Sequence, residues 1–215
     1  MYFLFKMSEA LSAFVSFIGK VVAWLAIPLM LIIVLDITTR KLLDAYPGLV
    51  NSWLYFGSTK LQEMEWHLHA VLFLLCLGFA YVRNAHVRVE LIRERFAPRV
   101  RAWIELVGGL VFLIPYCYLI LTYGWQFTER SYMMNEVSSA TTGLSHRWII
   151  KGMLPLGFLI LGIAAVAIVL KHFVYLFGPA EFRKPTGDMV EVDEIEALKQ
   201  QAAAELAAQA AQQRS

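Results

Sequence analysis

The chain has 215 residues and a formal net charge of +2, with 59% hydrophobic and only 17% charged residues. A soluble domain averages roughly 45–50% apolar and about 25% charged residues, so this composition excludes an ordinary water-soluble domain. The two cysteines, Cys76 and Cys117, both lie in apolar runs and give no disulfide framework; C-x-x-C, P-loop and G-x-G-x-x-G patterns are absent.

Apolar stretches in chain order define an all-α integral membrane protein with four transmembrane helices, short loops and a polar C-terminal tail. Residues 1–13 form a short N-terminal segment, 14–178 the four-span domain and 179–215 the tail. Span one is expected over 14–37, with Lys20 near its start, where a long side chain can carry its ammonium to the headgroups. Its apolar run ends in Leu35–Asp36–Ile37–Thr38–Thr39–Arg40 without a small-x-small cleavage site, so an uncleaved first span is expected rather than a signal peptide. The connection that follows holds Pro47, Gly48, Asn51 and Gly57 with Tyr46, Trp53, Tyr55 and Phe56, a composition suited to the membrane interface.

Span two is expected over 62–82, opened by a capping box at Thr59 and Gln62, with Gln62 and Glu63 in the first turn. Span three, expected over 103–123, lies within the 23 uncharged residues between Glu105 and Glu129 apart from its first turn, and Pro115 is its expected kink. Span four, expected over 149–176, contains the 19 uncharged residues between Lys151 and Lys171, with Pro155 in its first turns, where proline costs less. The tail is acidic from Asp188 to Glu196 and then rich in Ala and Gln. It has helix formers but no wide apolar stripe, the pattern of a solvated helix or disorder.

Four spans put both termini on one side together with the loop between spans two and three. That loop carries Arg83, Arg88, Arg93, Arg95, Arg99 and Arg101; with Lys6, Lys20, Lys171, Arg183 and Lys184 the side holds eleven basic residues. The opposite side holds six: Arg40, Lys41, Lys60, Arg130, Arg147 and Lys151. The bias predicts cytoplasmic termini in the bacterial inner membrane. Topogenesis and anionic headgroups account for the arginines, so no nucleic-acid partner is expected.

The densest polar cluster is Gln62–Glu63–Met64–Glu65–Trp66–His67–Leu68–His69. Glu63 and His67 are helical neighbours, as are Glu65 and His69. His67 and His69 diverge around the helix, so a metal would need ligands from elsewhere, and a structural or partner-pairing role is preferred. Glu65, beside the interfacial Trp66, is expected to pair with Arg40 or with a cation on a partner, and to matter more than Glu63. The alternative is a tetraspan anchor of a redox complex with haem held by histidines. His67, His69, His86, His146 and His172 can be drawn in pairs, but most of them fall at or beyond span ends. The span centres carry no ionisable carboxylate or base, unlike a transporter with its own midplane site; Gly108–Gly109, Gly157 and Gly162 favour close helix packing instead.

Taken in order over 21–176, these residues resemble the small membrane subunit of tripartite ATP-independent periplasmic (TRAP) transporters, the DctQ-like family. The likeness rests on Arg40 closing span one and on Glu63, Glu65, Trp66 and His67 opening span two. It continues through His86–Val87–Arg88–Val89–Glu90–Leu91, then the loop residues Ser131, Glu136 and Ser138, and Trp148, Lys151 and Leu154–Pro155–Leu156–Gly157 at span four. The resemblance implies a non-catalytic scaffold without cofactor or metal. Its expected partners are a large permease subunit carrying the ion and solute sites, a periplasmic solute-binding protein and membrane lipids. It also implies ion-gradient-driven uptake, normally with sodium, of an organic anion such as a carboxylate. The aromatic first loop and the Ala/Gln-rich tail depart from the compact family pattern.

Overall fold

The computed structural model describes residues 1–46, 48, 58–85, 96–140 and 142–179. His86, Arg88, most of the arginine loop, most of the first aromatic loop and the tail from 180 onward lie outside the described residues. Among those described the elements are all helical: α1 (Tyr2–Ala23), α2 (Ala26–Ala45), α3 (Ser58–Val82), α4 (Pro98–Gly108), a π-helical turn (Gly109–Leu113), α5 (Ile114–Met133) and α6 (Trp148–Phe177). Joined end to end where they run on, they give four helices long and apolar enough to cross a membrane: Tyr2–Ala45, Thr59–Val82, Pro98–Met133 and Trp148–Phe177.

The first of these runs 44 residues, about 66 Å at ~1.5 Å per residue, roughly twice a hydrocarbon core of about 30 Å. Its contacts show which part lies alongside the others. Val15 belongs to a buried cluster against which Tyr81 and Val82 pack at one end of α3, Gly19 abuts Phe79, and Arg40 reaches Gln62 at the other end. The part alongside α3 therefore runs from about Val15 to Arg40. Helix also continues back to Tyr2, through the segment expected to precede the span, and there Ser8 and Ser12 are buried. Each satisfies its hydroxyl on its own helix, Ser8 donating to the Phe5 carbonyl at 2.7 Å and Ser12 to the Ser8 carbonyl at 2.8 Å.

α6 is the central helix. It packs against α1, α3, α4 and α5, and Ile150, Pro155, Gly157, Ile160, Ala164, Ala165, Ala167, Ile168, His172 and Val174 are all buried along it. Hydrocarbon solvates leucine as well as a protein interior does, so small residues that let backbones meet hold such a bundle together. At Gly157 an added Cβ would lie 2.7 Å from the Leu74 carbonyl oxygen; at Gly78 one would lie 2.9 Å from Ile160 Cγ2 and 3.0 Å from its carbonyl oxygen. α3 and α6 therefore meet backbone to backbone across two glycines, one from each helix. The outer surface is correspondingly apolar: Phe3, Phe17, Trp24, Met30, Phe112 and Tyr118 are each more than 60% exposed, as expected where lipid replaces water.

Two helix ends are set by asparagine. Asn84 and Asn135 take positive φ, 58° and 46°. The next amides donate back to helix carbonyls, Ala85 to Ala80 at 2.9 Å and Glu136 to Ser131 at 3.0 Å. The asparagines' own amides donate to Tyr81 and Tyr132. Both are Schellman ends with asparagine at the left-handed position. Helix α5 consequently runs to Met133, well beyond Tyr123, where the apolar pattern places the end of span three. Pro115 lies in the first turn after the π-helical turn, which opens the ladder where its missing N–H and ring would otherwise collide with the preceding turn. Pro155 is interior to α6, since the helix already starts at Trp148. It packs against Gly124 of α5, where an added Cβ would sit 3.4 Å from its Cδ.

The glycine contacts give a paired test. Gly157→Ala places a methyl against backbone that cannot swing away and should cost about 1–3 kcal/mol, as overpacking does. Gly108→Ala, with nothing within 4 Å of the added Cβ, should be neutral or stabilising through helix propensity. Thermal denaturation in one detergent distinguishes them: a lower midpoint is expected for the first variant only.

Candidate functional site

The polar groups singled out in the sequence converge at the end of the bundle formed by the start of α3, the α5–α6 loop and the start of α6. Helix α3 supplies Glu63 one turn in. Its carboxylate accepts from the Ser138 hydroxyl and from the Leu144 backbone N–H, the latter at 2.5 Å. These two bonds reach across more than seventy residues and fasten the loop onto α3. Inside the loop, the Ser138 amide donates to the Leu144 carbonyl and the Gly143 amide to the Ala140 carbonyl at 3.0 Å; the Ala140 amide donates to the Ser138 hydroxyl at 3.1 Å. Gly143 is required by proximity, because a Cβ there would collide with Ser138 and sit 2.7 Å from Glu63 Oε1.

A second carboxylate fastens the same loop to α6. Glu136 accepts from the Lys151 ammonium, and its backbone carbonyl accepts from the Arg147 amide at 3.2 Å. Lys151 also stands 4.1 Å above the Phe127 ring, and the Arg147 guanidinium lies 5.7 Å over the Trp66 ring. His67 turns back on its own helix: its Nδ1–H donates to the Glu63 carbonyl at 2.5 Å, while its ring packs 4.0 Å from that of Trp66. Glu63, Trp66, His67, Glu136 and Lys151 thus form one connected cap, with Pro155 one turn below Lys151.

Arg40 lies in a separate cluster. Its guanidinium pairs with Asp36 one turn earlier on α2, where Asp36 is only 3% exposed. It also faces the Gln62 side-chain amide, whose oxygen, turned toward it, accepts from Nη1 at 3.1 Å. The expected Arg40–Glu65 pair is therefore not formed: Asp36 and Gln62 take the guanidinium instead. Glu65 sits between the two clusters, and its shielded Oε1 has no hydrogen-bond partner among the described residues. Asp36 was missed in the sequence, although its i,i+4 spacing to Arg40 is a readable signal. Thr59 is already helical behind Ser58, and Gln62 is turned to Arg40.

Among the described residues, His67, His69, His146 and His172 do not face one another as a haem pair would require. His69 is exposed on α3, His146 turns toward Ser145 in a left-handed backbone conformation, and His172 is buried near the far end of α6 with Nδ1–H donating to the Ile168 carbonyl at 2.9 Å. No group of three His, Cys, Asp or Glu side chains among the described residues is placed to hold a metal. The cap is built from hydrogen bonds and ion pairs that shape a surface.

Fold and site together define a polytopic membrane subunit whose polar chemistry lies at its ends. The family model of the tripartite ATP-independent periplasmic transporters, DctQ component, matches residues 29–174. The chain belongs to this family and is a small permease subunit of a TRAP transporter, a transporter component rather than an enzyme family. Comparisons with curated proteins and with solved structures give no match.

Lys151, with Arg147 adding positive charge, holds the Glu136 carboxyl below its ordinary value of 4.5. A lowered carboxylate pKa stabilises the fold fully above the unfolded-state value, and that contribution is lost as pH falls through the folded value. The loop should therefore stay fastened at neutral pH and loosen only on strong acidification. Labelling of a cysteine introduced at Ala140 by a pyridyl disulfide, taken at each pH relative to an unstructured thiol, should rise in the parent only as pH falls below the ordinary glutamate range. In Lys151→Ala it should already be fast at neutral pH; identical pH profiles for the two would show that this pair does not hold the loop.

Proposed function

We propose that the chain is the fixed scaffold partner of a large permease subunit in binding-protein-dependent uptake of an organic anion, such as a carboxylate, driven by an ion gradient, most simply sodium. One observation carries this reading: the spans meet through small and apolar residues, α1, α3 and α6 around Val15, Ile160 and Ala164 and α5 against α6 at Gly124 and Pro155, with the carboxylates of the cap at one end. A transporter's own ion and solute site needs polar groups or broken helices at mid-depth. Those belong to the large subunit in this scheme, and a periplasmic solute-binding protein delivers the solute to the capped face.

Within that scheme Glu65 is the contact for a cation on the large subunit. A shielded carboxylate oxygen at a membrane boundary is costly unless paired, and Arg40 is already engaged by Asp36 and Gln62. Glu63→Ala should free the α5–α6 loop, whereas Glu65→Ala should weaken the complex itself. Co-expression with the large subunit and affinity capture in mild detergent tests both ideas. Glu65→Ala should lower complex yield about tenfold, equivalent to ~1.4 kcal/mol, while membrane insertion is unchanged. In proteoliposomes with a sodium gradient the chain alone should take up no organic acid. Uptake by the isolated chain would overturn the scaffold reading, and unchanged yield in Glu65→Ala would overturn the contact.

The scheme places both termini and the arginine loop in the cytoplasm of a bacterial cell, with the capped end periplasmic. A cysteine at Ser139 should react with a membrane-impermeant maleimide in intact spheroplasts and one at Ala97 should not; the reverse pattern would invert the orientation.

A further inference from the structure

Beside α6, two cavities lie in line along one face of α5 from the capped end toward mid-depth, together a furrow whose two ends differ in chemistry. Near the cap a cavity of about 400 Å³ is walled by Trp125, Tyr132 and Trp148, floored by Gly152 and edged by Glu129. Deeper, a cavity of about 340 Å³ presents only apolar surface, from Cys117, Leu121, Leu159 and Gly162 together with Leu11 of α1. On α5 the lining positions Cys117, Leu121, Trp125, Thr128 and Tyr132 recur at three- and four-residue intervals, so the two cavities follow one face of that helix. Between Glu129 and Cys117 the helix rises about 18 Å, close to one leaflet's hydrocarbon depth of about 15 Å plus its headgroup boundary.

The mouth of this furrow is matched to a cation. Tyr132 and Trp148 meet edge to face, with ring centroids 5.4 Å apart. Glu129 forms no hydrogen bond or ion pair among the described residues. Aromatic faces and a carboxylate attract ammonium groups, and more strongly where water is thinned. The wall below is apolar and open to the bilayer, so the cation must arrive on an apolar stem lying along the helices.

We propose that this furrow is the seat of a phospholipid with an ammonium headgroup, of the phosphatidylethanolamine type, drawn from the leaflet at the capped end. Its ammonium sits against Glu129 within the Trp125–Tyr132–Trp148 rings, and one acyl chain follows α5 down to the Cys117–Gly162 level. A bound lipid of this kind fills the gap between two helices that otherwise meet through Gly124, Gly152 and Gly162, and it contributes to the shape of the subunit at the capped end.

The test uses the full-length chain in phosphatidylglycerol vesicles that contain either brominated phosphatidylethanolamine or brominated phosphatidylglycerol, with quenching of tryptophan fluorescence as the readout. The chain has six tryptophans, so the quenching lost in a Trp125→Phe, Trp148→Phe double variant isolates the furrow. Brominated phosphatidylethanolamine should associate there about fivefold more strongly than brominated phosphatidylglycerol. Glu129→Gln should abolish the preference. If Glu129→Gln fails to fold, Gly152→Val gives the same decision by filling the floor: the Gly152 Cβ position is only in ordinary contact, 3.5 Å from Thr128 Cγ2, so the added bulk has room to extend into the cavity. Equal association of the two lipids, or a preference that survives either variant, would overturn the proposal. So would loss of furrow quenching once the large subunit is present, because a partner helix would then be the occupant.

Discussion

The meeting of α3 and α6 at Gly78 and Gly157 is the contact on which the rest of the molecule depends. In hydrocarbon there is no water to drive apolar side chains together, and helices associate by fitting closely. Two glycines from opposite helices, each set against backbone atoms of the other, fix both the distance and the register of that pair. Helix α1 then packs on the same seam through Val15, beside Ile160 and Ala164. The α5 helix lies along the other flank of α6, where Gly124 accepts Pro155. Because register is set there, Glu63 arrives level with Ser138 and Leu144, and the polar cap closes without its own hydrophobic core.

The cap itself is an arrangement of two carboxylates with different anchors. Glu63 draws on a hydroxyl and a backbone amide, and so depends on the shape of the loop. Glu136 draws on Lys151, and so depends on charge. An exposed ion pair is worth little alone, but a loop held at both ends loses far less entropy per added bond than one held at a single end. The result is a loop shaped by its neighbours, which presents Met133, Met134 and Val137 outward, each more than 60% exposed.

Much of this was legible in the sequence, for physical reasons that also mark where reading stopped. Long uncharged runs located the four spans because a bilayer demands length and apolarity together. The family pattern brought forward Glu63, Glu136, Ser138 and Lys151, and these do meet in the cap. Hydropathy fades after Tyr123, where span three is expected to end, but the helix itself runs on to the left-handed stop at Asn135. The role of Glu63 as the fastener of the α5–α6 loop was not legible, since it depends on which loop atoms lie opposite its carboxylate. Likewise Arg40 could be matched to any nearby acid, and only the helix register shows Asp36 and Gln62 as its partners. His172 falls near a span end in the sequence, yet it is buried along α6.

The π-helical turn at Gly109–Leu113 has a consequence for how α5 is aimed. A π turn holds one residue more than the α turn it replaces, and one residue corresponds to about 100° of rotation. The half of the helix beyond Pro115 is thereby rotated, like a shaft re-keyed at a coupling, relative to the half before it. Trp103, which meets Phe177 near the far end of α6, and Trp125, which walls the lipid-facing furrow, share no continuous helical wheel. Length variation at this turn would re-aim the aromatic wall while leaving α4 seated.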